Sequence, residues 1–228
     1  MRVLTANGWD VIIPKEQCCC GTPAFTSGDA ETGRILAEQN IRAIKALEYD
    51  HIVTACSSCG AALQSEYEHL LEGSSLIGEW QKLSPKIIDI AQFVVRHCDM
   101  SKFGQLPLKI TYHDPCHLVR GMNVSAEPRQ IFHSIPGVEY VEMKDADRCC
   151  GAGGTFSAVY YELSRKINDK KLDNVEATGM EYVVTGCSAC RMHITDGLSQ
   201  RNSPVQVLHT AEVVAMAYEA GEKEETRC

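Results

Sequence analysis

The chain has 228 residues, of which 44% are hydrophobic and 23% charged, and carries a net charge of −8. These values fit one large or two small globular domains and exclude a mainly disordered, collagen-like or coiled-coil chain. The acidic balance, with no basic stripe, argues against nucleic acid as a partner.

No apolar run approaches the ~20 residues of a membrane span, and residues 1–15 lack a signal-peptide pattern. A cytoplasmic, reducing setting is therefore expected. In that setting the 12 cysteines point to metal or redox chemistry rather than disulfides.

In chain order, Val11-Ile12-Ile13 is the first β-branched run and is expected as a strand. Cys18-Cys19-Cys20-Gly21 follows. Asp29 is a candidate N-cap for a helix whose apolar positions are Ala37, Ile41, Ile44 and Leu47. A strand at Ile52-Val53 runs into Cys56-Ser57-Ser58-Cys59. Ala91 to Cys98 reads as helix, with Cys98 as a small buried hydrophobe. Residues 99–107 carry Gly104 and Pro107 and are expected to be a linker.

Beyond it, Leu108 to Tyr112 reads as a strand leading into His113-Asp114-Pro115-Cys116-His117. Val138 to Glu142 precedes Cys149-Cys150-Gly151, and Val159, Leu163 and Ile167 mark the next helix. The charges from Arg165 to Asp173 are expected on a solvated face. Val183-Val184 leads into Cys187-Ser188-Ala189-Cys190, and Val205 to Val207 forms a last strand ending near His209. The charged stretch 221–228 is expected to be a mobile tail, with Cys228 a bystander.

The two cysteine groups are copies of one unit. Cys20 and Cys56 enclose 35 residues, and Cys150 and Cys187 enclose 36. The flanks repeat as well: Gly8 matches Gly137, and Asp50–Ala55 matches Glu181–Gly186. Cys116 has no counterpart, so the chain begins inside the first copy. The expected organisation is therefore an incomplete repeat over 1–98, the linker, and a complete repeat over 108–220. The expected fold class is α/β, with parallel strands, flanking helices and metal sites at strand-to-helix turns.

Each C-x-x-C should open a helix, where free N–H groups and the positive dipole end stabilise thiolates. Adjacent cysteines in extended backbone point to opposite sides and chelate one ion poorly. They can more readily hold different irons of a larger cluster. Gly21 and Gly151 remove a Cβ beside each pair. Four thiolates at Cys19, Cys20, Cys56 and Cys59 suit zinc or an iron–sulfur cluster. Cys18 sits at the wrong point of the repeat. His113 and His117 are expected to hydrogen-bond near the second site, and His209 to lie at the same sheet edge without ligating.

The pattern C-x₃₂-C-C-G-x₃₅-C-x-x-C in the second half resembles the cysteine-rich CCG domain. That domain occurs in heterodisulfide reductases and in the iron–sulfur subunits of glycolate oxidase, lactate-utilisation and glycerol-3-phosphate dehydrogenase complexes. The resemblance implies that Cys116, Cys149, Cys150, Cys187 and Cys190 bind an iron–sulfur cluster, a [4Fe–4S] form that is non-cubane in some members. It implies an electron-transfer subunit that serves a flavoprotein dehydrogenase acting on a 2-hydroxy acid and passes electrons to a quinone or other carrier. A ferredoxin-like domain or subunit would complete the assembly, which could lie peripheral to a membrane through its partners. The alternatives are a heterodisulfide-reductase-like catalytic subunit and a zinc-stapled interaction module.

Overall fold

The structure, a computed structural model, describes residues 1–226. Among the described residues, six short strands form two all-parallel sheets. In the first half, β1 (Ile52–Thr54) pairs with β2 (Ile87–Asp89). In the second, β3 (Lys109–His113), β4 (Glu139–Tyr140), β5 (Tyr182–Thr185) and β6 (Gln206–His209) stand in the order β4-β3-β5-β6. The expected α/β class is what the chain adopts. Parallel strands need helical crossovers, and β5 and β6 are joined by the helix Ser188–Gln200.

The duplication is visible element by element. The helices Ala30–Lys45 and Tyr161–Glu176 have 16 residues each and lead into β1 and β5. Asp29 caps the first by accepting from Thr32 N at 3.0 Å. Thr54 pairs with Asp89 as Thr185 pairs with His209. Asp89 and His209 then each cap the helix that follows, accepting from Ala91 N at 2.8 Å and Ala211 N at 3.2 Å.

Three local expectations fail. Val11-Ile12-Ile13 is not a strand, and Ile12 and Ile13 are 57% and 55% exposed. Its counterpart β4 pairs only with β3, and the first repeat has no equivalent of β3 among the described residues. Without a partner, the run forms no ladder. The helix through Val159 and Leu163 breaks at Tyr160, and both apolar residues face solvent. Its buried face is Ser164, Asn168, Lys171, Leu172 and Val175, so the charged stretch 165–173 is not wholly solvated. Finally, the last helix runs from Thr210 to Glu225, into the stretch expected to be a mobile tail. Cys228 lies outside the described residues.

The segment 99–107 is packed down. Gly104 N donates to Ala217 O at 3.0 Å, and Phe103 meets Tyr218 edge-on with centroids 5.1 Å apart. One hydrophobic core joins the halves: Val3, Ile90, Ala91 and Val94 pack with Ile110, Tyr112, Ile131, Phe132 and Val213. A second core joins first-half residues Ala37, Ile41, Tyr67 and Trp80 to Leu118, Met122 and Val124.

Candidate metal centre

Both C-x-x-C motifs sit where a strand gives way to a helix. Cys56 and Cys187 are the N-cap residues, extended at φ −144° and −136°. Their backbone turns into Ser57–Ala61 and Ser188–Gln200, so Cys59 and Cys190 fall in the first helical turn on the same side. The Cys-Cys pairs behave as extended neighbours should: Cys19 and Cys149 are exposed, while Cys20 and Cys150 are buried.

A left-handed glycine ends each pair, at φ +87° for Gly21 and +95° for Gly151. Each turns its N–H back onto the first cysteine. Gly151 N donates to Cys149 Sγ at 3.3 Å, and Gly21 N to Cys19 Sγ at 3.5 Å. The second glycine is locked in place, because its carbonyl accepts from Ser164 Oγ at 2.8 Å. Ser164 Oγ in turn lies 2.8 Å from His193 Nε2. Neither Ser164 nor His193 stood out in the sequence. The only available signal was the helical spacing of Ser164 beneath the pair.

The thiols of the second set adjoin one another and set one another's protonation. The neighbouring Cys116 thiol draws Cys149 down to about 2, and Cys149 in return pushes Cys116 well up. Cys149 also drives Cys150 up to about 12. Beside Cys150 and Cys187, Cys190 is held far above the ordinary thiol range, and Cys187 is held far below it by Cys190 and then Cys56. In the first set, Cys59 lowers Cys20 to about 5 and is itself pushed up. Some of these thiols are thus held low and their neighbours high, and loss of the remaining protons frees soft ligands for a metal.

The two sets meet, which the spacing alone did not disclose. Cys56 adjoins both Cys59 and Cys187. Ser57 N donates to Gly186 O at 3.0 Å across the halves. Ser58 Oγ lies 3.4 Å from Cys187 Sγ and 3.1 Å from His117 Nδ1.

Among the other candidates, Cys18 faces the helix at Leu36 O, 3.6 Å away. Cys98 caps the end of Ile90–His97 and packs on the shared core, where burial raises its thiol to about 11. His209 uses Nδ1 as a helix cap. His113 differs from the expectation of a hydrogen-bonded histidine. It is 1% exposed, and neither ring nitrogen has a partner. A ring nitrogen lies within 4.8 Å of the Cys150 and Cys190 sulfurs. Burial, then the charge of Lys171, holds the imidazole neutral, down to about 3.

This donor set fits an iron–sulfur group. Soft thiolates converge, the backbone beside them is stripped of Cβ atoms, and a buried imidazole with no protein partner points among them.

The comparisons agree. A family model described as a cysteine-rich domain matches residues 1–64 and 110–195. The chain is 36% identical to a subunit of a fumarate reductase (CoM/CoB) from Methanothermobacter marburgensis, covering 96% of this chain and 42% of that one. It is 37% identical to a probable glycolate oxidase iron-sulfur subunit from Bacillus subtilis, covering 98% and 51%. It is 31% identical to lactate utilization protein A from Geobacillus thermodenitrificans, covering 94% and 89%. The chain thus spans about half or less of the first two relatives. Kinship with iron–sulfur subunits overturns the zinc-stapled module. The chain belongs to the cysteine-rich CCG family and is an iron–sulfur protein.

Proposed function

We propose that the chain carries electrons within an oxidoreductase assembly. A partner flavoprotein oxidises a 2-hydroxy acid of the glycolate or lactate type, and the electrons pass through this chain towards a quinone or other carrier. The observation that carries this reading is the contiguous set Cys116, Cys149, Cys150, Cys190 and Cys187. These five would hold a [4Fe–4S] cluster, in the non-cubane form, and Cys19, Cys20, Cys56 and Cys59 would hold a second cluster. Such centres accept one electron at a time, which suits a chain placed after a two-electron flavin. The residues here supply the ligands and their orientation, with Gly151 N and Ser58 Oγ hydrogen-bonding thiolates. A ferredoxin-like domain or subunit would extend the relay. No helix among the described residues is long and apolar enough to cross a membrane, so membrane contact would come through partners.

The test is stopped-flow reduction of the loaded chain with and without the flavoprotein. The chain alone should not be reduced by glycolate or lactate but should be reduced rapidly once the flavoprotein is added. Reduction by the hydroxy acid without it would overturn the reading. A second reading, disulfide reduction at the site itself, is favoured by the exposure of Cys19 and Cys149. It predicts a new paramagnetic signal when a disulfide is added to the reduced chain.

A further inference from the structure

Lys171 has no accessible surface, yet the sequence placed it in a solvated charge run. Its Nζ donates to the carbonyls of Asp145 at 2.5 Å and Ala146 at 3.1 Å. Among the described residues, no carboxylate oxygen lies within ion-pairing distance of it. With Met143 Sδ at 3.9 Å as its other contact, this buried ammonium has only neutral acceptors, which is costly unless an anion stands near. Burial works against its charge, while the Cys150, Asp114, Asp147 and Asp145 side chains around it favour the protonated amine. The Ala146 carbonyl also accepts from Asp114 N at 3.1 Å. Lys171 therefore pins the loop before Cys149 to the turn that leads into Cys116.

The duplication supplies an internal control. Asn40 occupies the same place in the helix Ala30–Lys45 as Lys171 does in Tyr161–Glu176, eleventh in each. Asn40 also fastens the backbone leading into its cysteine pair, nearer the pair than Lys171 does and without charge. Its Oδ1 accepts from Cys18 N at 3.0 Å, and its Nδ2 donates to Cys19 O at 3.0 Å. Fixing the loop thus requires only an amide. The ammonium at the second site adds a unit of positive charge that the fastening does not need.

We propose that Lys171 is the resident countercharge of the second cysteine site, stabilising the more anionic reduced state of the cluster there and making that site the electron-accepting end of the chain. The inference rests on the iron–sulfur reading above. The step it governs adds one electron from a reduced flavin partner to the cluster, breaks no bond and moves no proton. A unit charge about 10 Å away at an effective dielectric near 20 changes such an equilibrium by about tenfold.

The test uses the full chain, loaded anaerobically, as wild type and as Lys171→Gln, Lys171→Met and Lys171→Arg. Iron and sulfide are counted, and the second site's signal is followed in a redox titration. With iron retained, the neutral variants should lower the reduced-to-oxidised ratio at fixed poise about tenfold, about 59 mV for one electron. Lys171→Arg should stay within about threefold of wild type. An unmoved ratio in a loaded neutral variant overturns the assignment, as does an Arg variant that shifts as far as Gln. If neither neutral variant loads, loading of Lys171→Arg alone supports the countercharge, and failure of all three shows a purely structural role. A wild-type chain that takes up no iron or sulfide refutes the iron–sulfur reading itself.

Discussion

Gly21 and Gly151 offer a paired perturbation in one molecule, because they hold the same place with different surroundings. Alanine at either position must adopt a left-handed backbone, φ +87° or +95°, at a cost of about 1–2 kcal/mol. The added methyl then meets unlike neighbours. At Gly21 the nearest atom is Gly33 O at 3.3 Å, which is tight but tolerable. At Gly151 it is Ser164 O at 2.7 Å, a helix carbonyl that cannot rotate away, with His193 Nε2 at 3.3 Å. Overpacking of that kind adds about 1–3 kcal/mol. The expected losses are therefore about 1–2 kcal/mol for Gly21→Ala and about 2–5 kcal/mol for Gly151→Ala. For a chain of this size each kcal/mol lowers Tm by about 2–4 °C. Thermal unfolding under reducing, anaerobic conditions should thus separate the variants clearly. Gly151→Ala should also lower iron retention, since the same methyl pushes on the Ser164–His193 brace beneath Cys149 and Cys150. Equal losses for the two variants, or a larger loss at Gly21, would refute the reasoning.

On the proposed ligation, with five cysteines in one set and four in the other, Cys149→Ser should abolish the signal of the second site, whereas Cys19→Ser should change the spectrum less; equal losses of iron and absorbance would contradict this. Tyr67→Phe removes the donor to Cys20 O (3.0 Å) and the acceptor for Asn40 Nδ2 (3.1 Å). With Tyr67 wholly buried, denaturant unfolding should show a loss of about 1–3 kcal/mol, and a change below about 0.5 kcal/mol would be inconsistent with those unpaired groups. Asp89 is raised to about 7 by burial, against 3.8 as its ordinary value. The folded state thus keeps a proton that the unfolded chain releases first. Stability should fall as pH rises from about 4 to 7 and level off above. Asp89→Asn, which keeps an oxygen for capping Ala91 N, should flatten that fall by about 1–3 kcal/mol; an unchanged slope in pH-dependent unfolding would show that Asp89 is not its source.

The cysteine pattern was legible because metal ligands are constrained in type and spacing, and the duplication shows which spacings recur. The strands β1, β3 and β5 were legible from apolar runs leading towards those cysteines, and β6 from the run Val205–Val207. What escaped were features decided at a distance. Lys171 and Asn40 look like surface polar residues in their own helices. They are buried because the carbonyls they satisfy belong to loops more than twenty residues away in sequence. Val159 and Leu163 misled for the converse reason: the chain breaks at Tyr160, and the helix Tyr161–Glu176 turns polar residues inward, so both apolar residues are left outside. The Val11–Ile13 run has strand composition but no ladder partner, and composition cannot report a missing neighbour. His113 was visible as a histidine near Cys116, but its lack of any hydrogen-bond partner is a property of the packed site.

The two repeats are alike in chain path and unlike in what surrounds them. In the second, β5 is flanked by β3 and β6, while β1 in the first has only β2. Part of the missing support comes from the other half. The turn after Cys116 brings Leu118, Met122 and Val124 into the first repeat's core, and each is at most 6% exposed. Burying a side chain of this size is worth about 1.5–3 kcal/mol, so together these three matter on the scale of a domain's whole stability. The same turn places His117 against Ser58, beside the contact between Cys56 and Cys187. Packing and ligand placement therefore share one set of residues. Pulling the halves apart would expose the apolar turn and separate the two C-x-x-C motifs in one event. The segment 99–107, expected as a linker, is itself packed against the last helix. The cores and the sulfur contacts run across both halves, so the geometry of one cysteine set is held partly by the half that carries the other.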